Sequence, residues 1–194
     1  MSLRIEVADL GLPALDALDV DALLVFVGPE RPLQGLAGYA DWRLCGALSR
    51  AMRSGLYQAA PGEALLLPSG GRLRPGRVFC FGLPAASAAP AEYLATVRKA
   101  CQALRRAGSA AFASSLPPIE GGDAAAAARL WLEGSLSAPV GRQVLLGDAR
   151  TLHHDLLEAR ASASAEVEVV AASARAEPSG RAARPAAPAG AMVR

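Results

Sequence analysis

Residues 21–55, DALLVFVGPERPLQGLAGYADWRLCGALSRAMRSG, decide the fold. They begin with a continuous apolar run over Asp21–Val27, which predicts a central strand covered on both faces. Pro32 suits a first helical turn and Gly55 a helix stop, so one long helix is predicted between them. Its core stripe recurs at helical spacing and consists of Leu33, Leu36, Ala37, Ala40, Leu44, Ala47 and Leu48.

Residues 61–84, PGEALLLPSGGRLRPGRVFCFGLP, predict two more short strands, Ala64–Leu67 and Arg77–Phe81, joined by a turn. The rest of the chain alternates short apolar runs with helical patterns. Strands are expected at 3–7, 110–114, 143–146 and 166–170, and helices at 91–108, 123–136 and 149–160. This alternation predicts an α/β domain, a mixed and largely parallel sheet with helices on both faces.

Composition favours one domain over residues 1–170 and a disordered tail over 171–194. The tail is Ala/Pro/Arg sequence without periodicity, so it buries too little apolar surface to offset its ordering entropy. It carries four arginines and one glutamate, which leaves a net charge of −1 on residues 1–170. No apolar run approaches the ~20 residues of a membrane span, and the N-terminus lacks a signal-peptide core. We therefore expect a soluble, cytoplasmic protein.

The residue types that carry reaction chemistry are few and scattered. Cys45, Cys80 and Cys101 each lie in an apolar pattern without CxxC spacing, so all three are expected to be buried hydrophobes. His153 and His154 are adjacent on a predicted helix and point about 100° apart, so they cannot chelate one ion together. The sequence predicts neither a metal site nor a cofactor site.

Four segments taken in order resemble the N-terminal domain of leucyl (cytosol) aminopeptidases. They are DALLVFV, LQGLAGYADWRLCGALSRAMRSG, PGEALLLPSGG and RVFCFGLP followed by an alanine-rich helix, and they cover residues 20–107. The resemblance implies a macrodomain-like, three-layer fold. That family does its chemistry in a separate C-terminal domain, where an Asn-Thr-Asp-Ala-Glu-Gly-Arg signature contributes to two metal sites.

Nothing in this chain matches that signature, and its acidic residues are scattered singly, whereas a two-metal site needs several converging carboxylates. No catalytic residue can therefore be carried over. The resemblance implies a non-catalytic, stand-alone homologue of the aminopeptidase domain, acting by protein–protein contact or self-association.

The predicted long helix has a second face that suits such a contact. Trp42 lies opposite the core stripe, and Trp is favoured at interaction hot spots. The small residues that flank it on this face are Gly35, Gly38, Cys45 and Ser49. The alternative is that another element of the domain, such as residues 10–19, covers Trp42.

A second hypothesis is a small-ligand module that binds a nucleotide or an ADP-ribose-like molecule. Strand-to-helix glycine turns can cradle phosphates, and the candidates are Gly28, Gly70, Gly71 and Gly82. However, FGLPAASAAPAEY matches neither GxGxxG nor GxxxxGK[ST], so the motifs favour plain turns.

A third hypothesis is a nucleic-acid-binding regulator. Arg98, Lys99, Arg105 and Arg106 cluster on one predicted helix, and some aminopeptidases of the resembling family also bind DNA. No aromatic residues interleave with this cluster, which favours an ordinary solvated face.

Overall fold

The computed structural model describes residues 3–83, 88–161 and 166–171. Its strands are β1 (Leu3–Asp9), β2 (Ala22–Val27), β3 (Ala64–Pro68), β4 (Arg77–Gly82), β5 (Ala111–Ser114), β6 (Arg142–Gly147) and β7 (Val167–Ala171). Its helices are α1 (Leu12–Ala17), α2 (Gly35–Arg43), α3 (Ala47–Arg53), α4 (Pro90–Arg106), α5 (Ala124–Ser137) and α6 (Ala149–Ala161).

The strands form one sheet in the order β3-β4-β2-β5-β6-β1-β7. β3 runs antiparallel to β4, and every other neighbouring pair is parallel. The sheet is therefore mixed and largely parallel, as the sequence predicts.

Helices cover both faces of the sheet, and β2 packs against both layers. Its residues alternate between two core clusters: Leu24 packs with the helices α4, α5 and α6, whereas Leu23 and Val25 pack with α1, α2 and α3. Since successive side chains of a strand point to opposite faces, a strand buried on both sides is apolar throughout. The three-layer prediction is confirmed.

The prediction of one long helix is wrong, because the segment forms two helices. α2 begins at Gly35, three residues after Pro32, so Pro32 lies outside the helix. α2 ends at Arg43, and α3 begins at Ala47.

The break between α2 and α3 is a Schellman turn. Cys45 has a φ of 54° and Gly46 a φ of 77°. The Gly46 N–H donates to the Asp41 carbonyl at 2.7 Å, and the Cys45 N–H donates to the Trp42 carbonyl at 3.0 Å. These two bonds satisfy carbonyls that a continuing helix would have used. The apolar stripe runs through the turn, so hydrophobic periodicity alone could not reveal it.

This turn also overturns part of the cysteine prediction. Cys80 and Cys101 are buried, but Cys45 is exposed at the turn. Burial raises the pKa of the Cys80 thiol to about 12 and that of Cys101 to about 11. These two cysteines therefore remain protonated and act as small apolar groups.

The later elements follow the predicted pattern closely. The Asp148 carboxylate accepts the Thr151 N–H at 2.8 Å and caps α6, as expected for Asp at an N-cap. β7 extends to Ala171, one residue into the predicted tail, and residues 172–194 of that tail lie outside the described residues. None of the helices described is both long and apolar enough to cross a membrane.

Candidate functional site

A crevice opens along the edge of the sheet where the parallel strands end. Residues just beyond the carboxyl ends of β2, β4, β5 and β6 line it, namely Gly28, Leu83, Ser115 and Asp148. Its volume is about 450 Å³, which is within the usual size of small-molecule sites. In open α/β sheets, ligands bind outside the carboxyl ends of the strands. We call this site the strand-end crevice.

The walls of the strand-end crevice are mostly apolar. The side chains that form them include Phe26, Leu83, Leu116, Pro117, Pro118 and Leu146. Such walls accept a flat or apolar ligand body, because burying it removes apolar surface from water.

The N-terminus of α2 borders the crevice and is uncapped by any side chain. Its N-cap residue is Gln34, which makes no side-chain capping bond, and residues 34–37 line the crevice. The first N–H groups of a helix have no intrahelical partner, and the helix dipole adds partial positive charge there. This end of α2 can therefore accept an anionic group of a ligand.

The N-terminus of α6 also lies near the crevice, but the protein's own carboxylates satisfy it. Asp9 accepts the Ala149 N–H at 2.9 Å, and Asp148 accepts the Thr151 N–H. The hydrogen bond from the Thr151 backbone lowers the pKa of Asp148, so this carboxyl stays ionised at neutral pH. The start of α6 thus carries two capping carboxylates, whereas the start of α2 carries no side-chain cap.

Carboxylates also line the crevice. Asp155 is only 8% exposed, and Glu30 and Asp148 line the site as well. Among the described lining residues there is no arginine or lysine. Carboxylates accept hydrogen bonds only, so these side chains favour ligand hydroxyl, amino or ammonium groups.

The structure separates the four candidate ligand-loop glycines. Gly28 lines the crevice, and Gly82 ends β4 beside it. A Cβ on Gly82 would lie 2.2 Å from the Ala60 carbonyl oxygen, so this glycine allows a close approach of two backbone segments. Gly70 and Gly71 lie in the β3–β4 connection at the opposite edge of the sheet, away from the crevice.

The predicted contact face is divided as well. Gly35 lines the strand-end crevice rather than that face, because α2 begins there. The other four members, Gly38, Trp42, Cys45 and Ser49, line a second concavity of about 1120 Å³, which we call the Trp42 groove. Its remaining lining includes Arg31, Pro32, Arg43, Met52, Arg53 and Tyr57. Trp42 is 62% exposed, so the alternative that residues 10–19 cover it is wrong.

The basic cluster on α4 is partly engaged in contacts within the domain. Arg98 pairs with Glu133 at 2.7 Å, and the Lys99 ammonium donates to the Gly62 carbonyl. His154 lies 3.3 Å from Glu158 on the exposed side of α6. Over the described ranges, no three His, Cys, Asp or Glu side chains are grouped closely enough to hold a metal ion.

Sequence reasoning missed most of the crevice. Asp155 and Gln34 belong to no sequence motif. They are far apart in the chain, so the sequence does not show that both line one crevice. The available signal was topological, since the ends of parallel strands meet at one edge of a sheet.

This fold and its crevice define a macrodomain-like α/β domain. The chain belongs to the cytosol aminopeptidase family, and the model of that family's N-terminal domain matches residues 24–139. The recognition made from the DALLVFV to RVFCFGLP segments is therefore confirmed. No curated protein sequence matches the chain.

Solved structures of macrodomains and of a leucine aminopeptidase resemble the domain. An Oceanobacillus iheyensis macrodomain mutant with ADPR has a TM-score of 0.62 at 12% identity, over 81% of this chain and 90% of that one. The macrodomain of Mycobacterium tuberculosis DarG has a TM-score of 0.56 at 16% identity, over 73% and 97% of the two chains. At these identities the similarity shows the fold alone.

A tomato leucine aminopeptidase mutant is similar with a TM-score of 0.55 and 18% identity. The match covers 81% of this chain but 35% of the tomato enzyme. The chain thus corresponds to about a third of that enzyme's length.

Proposed function

We propose that this domain is a non-catalytic receptor for a nucleotide-type small ligand, which it binds in the strand-end crevice. The observation that carries the proposal is the uncapped α2 N-terminus at an apolar crevice that also bears carboxylates. A nucleotide has the three matching parts: an anionic phosphate, a flat base, and ribose hydroxyl or base amino donors.

Each part of the crevice suits one of these groups. The free N–H groups at the start of α2 suit a phosphate. The Phe26 and Leu116 walls suit the faces of a base. The buried Asp155 carboxylate is an acceptor for a hydroxyl or amino donor.

The absence of cations from the described lining limits the charge of the ligand. A free triphosphate would meet Glu30, Asp148 and Asp155 without a compensating arginine or lysine. A ligand with one or two phosphates flanked by neutral groups fits better. The ADPR in the similar Oceanobacillus iheyensis macrodomain is a ligand of that type, and it motivates ADP-ribose as the first compound to test.

We propose in addition that the domain is not itself an enzyme, and the residue types at hand support this. The crevice contains no cysteine or histidine among its described lining residues, and the buried Cys80 and Cys101 thiols are held protonated. The protein contact predicted from the sequence concerns the Trp42 groove, which shares Leu33 with the crevice and is otherwise lined by different residues.

A thermal-shift comparison tests the proposal. ADP-ribose, AMP, ATP and ribose 5-phosphate are each added to the purified chain, and Tm is measured against buffer. Ligand at a hundredfold its Kd stabilises a protein by about 2.7 kcal/mol, which raises Tm by roughly 5–11 °C for a domain of this size. We expect ADP-ribose or AMP to raise Tm more than ATP does. An unchanged Tm with all four compounds would contradict the proposal.

A further inference from the structure

The Trp42 groove is distinct from the strand-end crevice and is lined by an unusual set of side chains. Trp42 is 62% exposed, and the Arg43 guanidinium carbon lies 4.8 Å from the centre of its ring. Leu56, which directly precedes the groove residue Tyr57, is 70% exposed. A tryptophan this exposed marks a place where another molecule binds.

The groove is basic, although residues 1–170 as a whole are not. Arg31, Arg43 and Arg53 line it, against the single carboxylate of Asp41. Both oxygens of that carboxylate already accept hydrogen bonds, one from the Ser49 hydroxyl and one from the Ser49 N–H. Residues 1–170 carry a net charge of −1, so this concentration of arginine is local.

The three arginines differ in how much of their charge is already used. The Arg31 guanidinium donates to the Gly28 and Glu30 carbonyls at 3.0 and 2.6 Å. Arg43 pairs with Asp16. Arg53 is exposed and has no ion-pair partner among the residues described. Of the three, Arg53 is the one whose guanidinium makes neither an ion pair nor a hydrogen bond with the described residues, so its donors are available to a partner.

Two buried polar groups of the groove residues have no partner in the described structure. The Tyr57 hydroxyl is unpaired although Tyr57 is only 1% exposed, and the Nε of Arg43 is unpaired as well. Burial raises the pKa of Tyr57, so its hydroxyl stays protonated and able to donate. Both atoms are shielded from solvent, so neither can contact a partner in the open groove. Arg53 is the charged donor that a partner can reach.

We propose that the Trp42 groove binds an acidic peptide segment of a partner protein, with a carboxylate at Arg53 and an apolar side chain against Trp42. The chemistry is complementary throughout. Carboxylates are acceptors for guanidinium donors, and an adjacent apolar residue buries the exposed ring of Trp42.

Other occupants fit the groove less well. The chain's own residues 172–194 carry four arginines and one glutamate, so they repeat the charge of the groove. A nucleic-acid backbone would find a single uncommitted arginine beside Asp41, and phosphate binding is built from many basic contacts. The observations therefore favour a peptide carboxylate.

A bead-displayed library of random peptides, panned on the purified chain, tests this proposal. We expect the selected peptides to be enriched in Asp or Glu next to an apolar residue. Their binding is then measured by fluorescence anisotropy of labelled copies, with a labelled single-stranded oligonucleotide as competitor. No enrichment of acidic residues, or tighter binding of the oligonucleotide at the same site, overturns the proposal.

Variants with a matched control locate the binding. Arg53→Glu should weaken a selected peptide by about tenfold, the effect of losing one charge-assisted contact. Arg74→Glu makes the same charge change at an exposed residue outside the groove and should leave binding unchanged. Equal binding to wild type and Arg53→Glu overturns the proposal.

Discussion

The Asp41 carboxylate and Ser49 are joined across the turn that separates α2 from α3. The Ser49 hydroxyl donates to Asp41 Oδ2 at 2.5 Å, and the Ser49 N–H donates to Oδ1 at 3.1 Å. Gly46, the N-cap residue of α3, has no side chain to accept an N–H of the first turn. Asp41 takes that role from the preceding helix, so its carboxylate links α2 to the first turn of α3.

Asp41→Ala should therefore destabilise the domain although Asp41 lies at the surface of the groove. It removes a helix cap and a charge-assisted hydrogen bond, which together are worth about 1–2 kcal/mol. Tm should fall by roughly 2–8 °C, measured by calorimetry. Ser49→Ala keeps the backbone bond to Asp41 and should cost less. An equal effect of the two substitutions would contradict the capping role of Asp41.

Gly82→Ala should be one of the most damaging single-methyl additions in the chain. The new Cβ would lie 2.2 Å from the Ala60 carbonyl oxygen and 2.4 Å from the Ala59 carbonyl carbon, which are backbone atoms held against β4. Overpacking of this kind costs about 3 kcal/mol, and Tm should fall by roughly 6–12 °C. Gly76→Ala is the matched control, because its Cβ meets nothing within 4 Å. If both variants melted alike, the close approach at Gly82 would be disproved.

Glu6 should make the stability of the domain sensitive to acid. Arg142 donates two hydrogen bonds to its carboxylate at 3.0 and 2.9 Å, and the first of the causes that lower the pKa of Glu6 below 4.5 is this bonding. A carboxyl with a lowered folded-state pKa contributes stability above its unfolded pKa and loses it as the pH falls through the folded pKa.

Urea melts from pH 7 to pH 3 test this relation. Glu6→Gln should be less stable than wild type at pH 7 by about 1 kcal/mol, and the difference should shrink below pH 4.5. A difference that stays constant over the whole range would show that the Glu6 carboxylate does not titrate with folding.

The chain should not hydrolyse leucine amide or leucyl anilide, with or without added manganese or zinc. Over the residues that the structure describes, no cluster of His, Cys, Asp or Glu could hold a metal ion. The aminopeptidase metal signature is also missing from the sequence. Hydrolysis by contaminant-free protein that a chelator abolishes would contradict this prediction.

Much of the fold could be predicted from the sequence because local patterns encode it. The run from Ala22 to Val27 contains no polar residue, and such a continuous apolar run is typical of a strand covered on both faces. Asp148 supplied a helix cap that is visible in the sequence. The turn at Cys45 escaped prediction because a non-glycine residue adopts positive φ there, against its usual preference.

The candidate site was harder to predict, since it forms from residues distant in sequence. Gly28 was among the predicted ligand-loop residues, and it lines the crevice. Asp155 and the N-terminus of α2 lie at the same crevice because of the order of the strands in the sheet, which the sequence pattern does not reveal. The helical periodicity of the sequence placed Trp42 off the core face. The arginines around it come from three separate segments, so the sequence pattern did not show that they line one groove.

The most direct test of the account is calorimetric titration of ADP-ribose into three proteins: wild type, Ala124→Trp and Ala107→Trp. Ala124 is exposed at the start of α5 and lines the strand-end crevice, so a Trp there fills the site without entering the core. Ala107 is exposed at the end of α4 and does not line the crevice. We expect binding heat from wild type and Ala107→Trp, and none from Ala124→Trp. Equal binding by all three proteins, or none by wild type, would contradict a ligand site in the strand-end crevice.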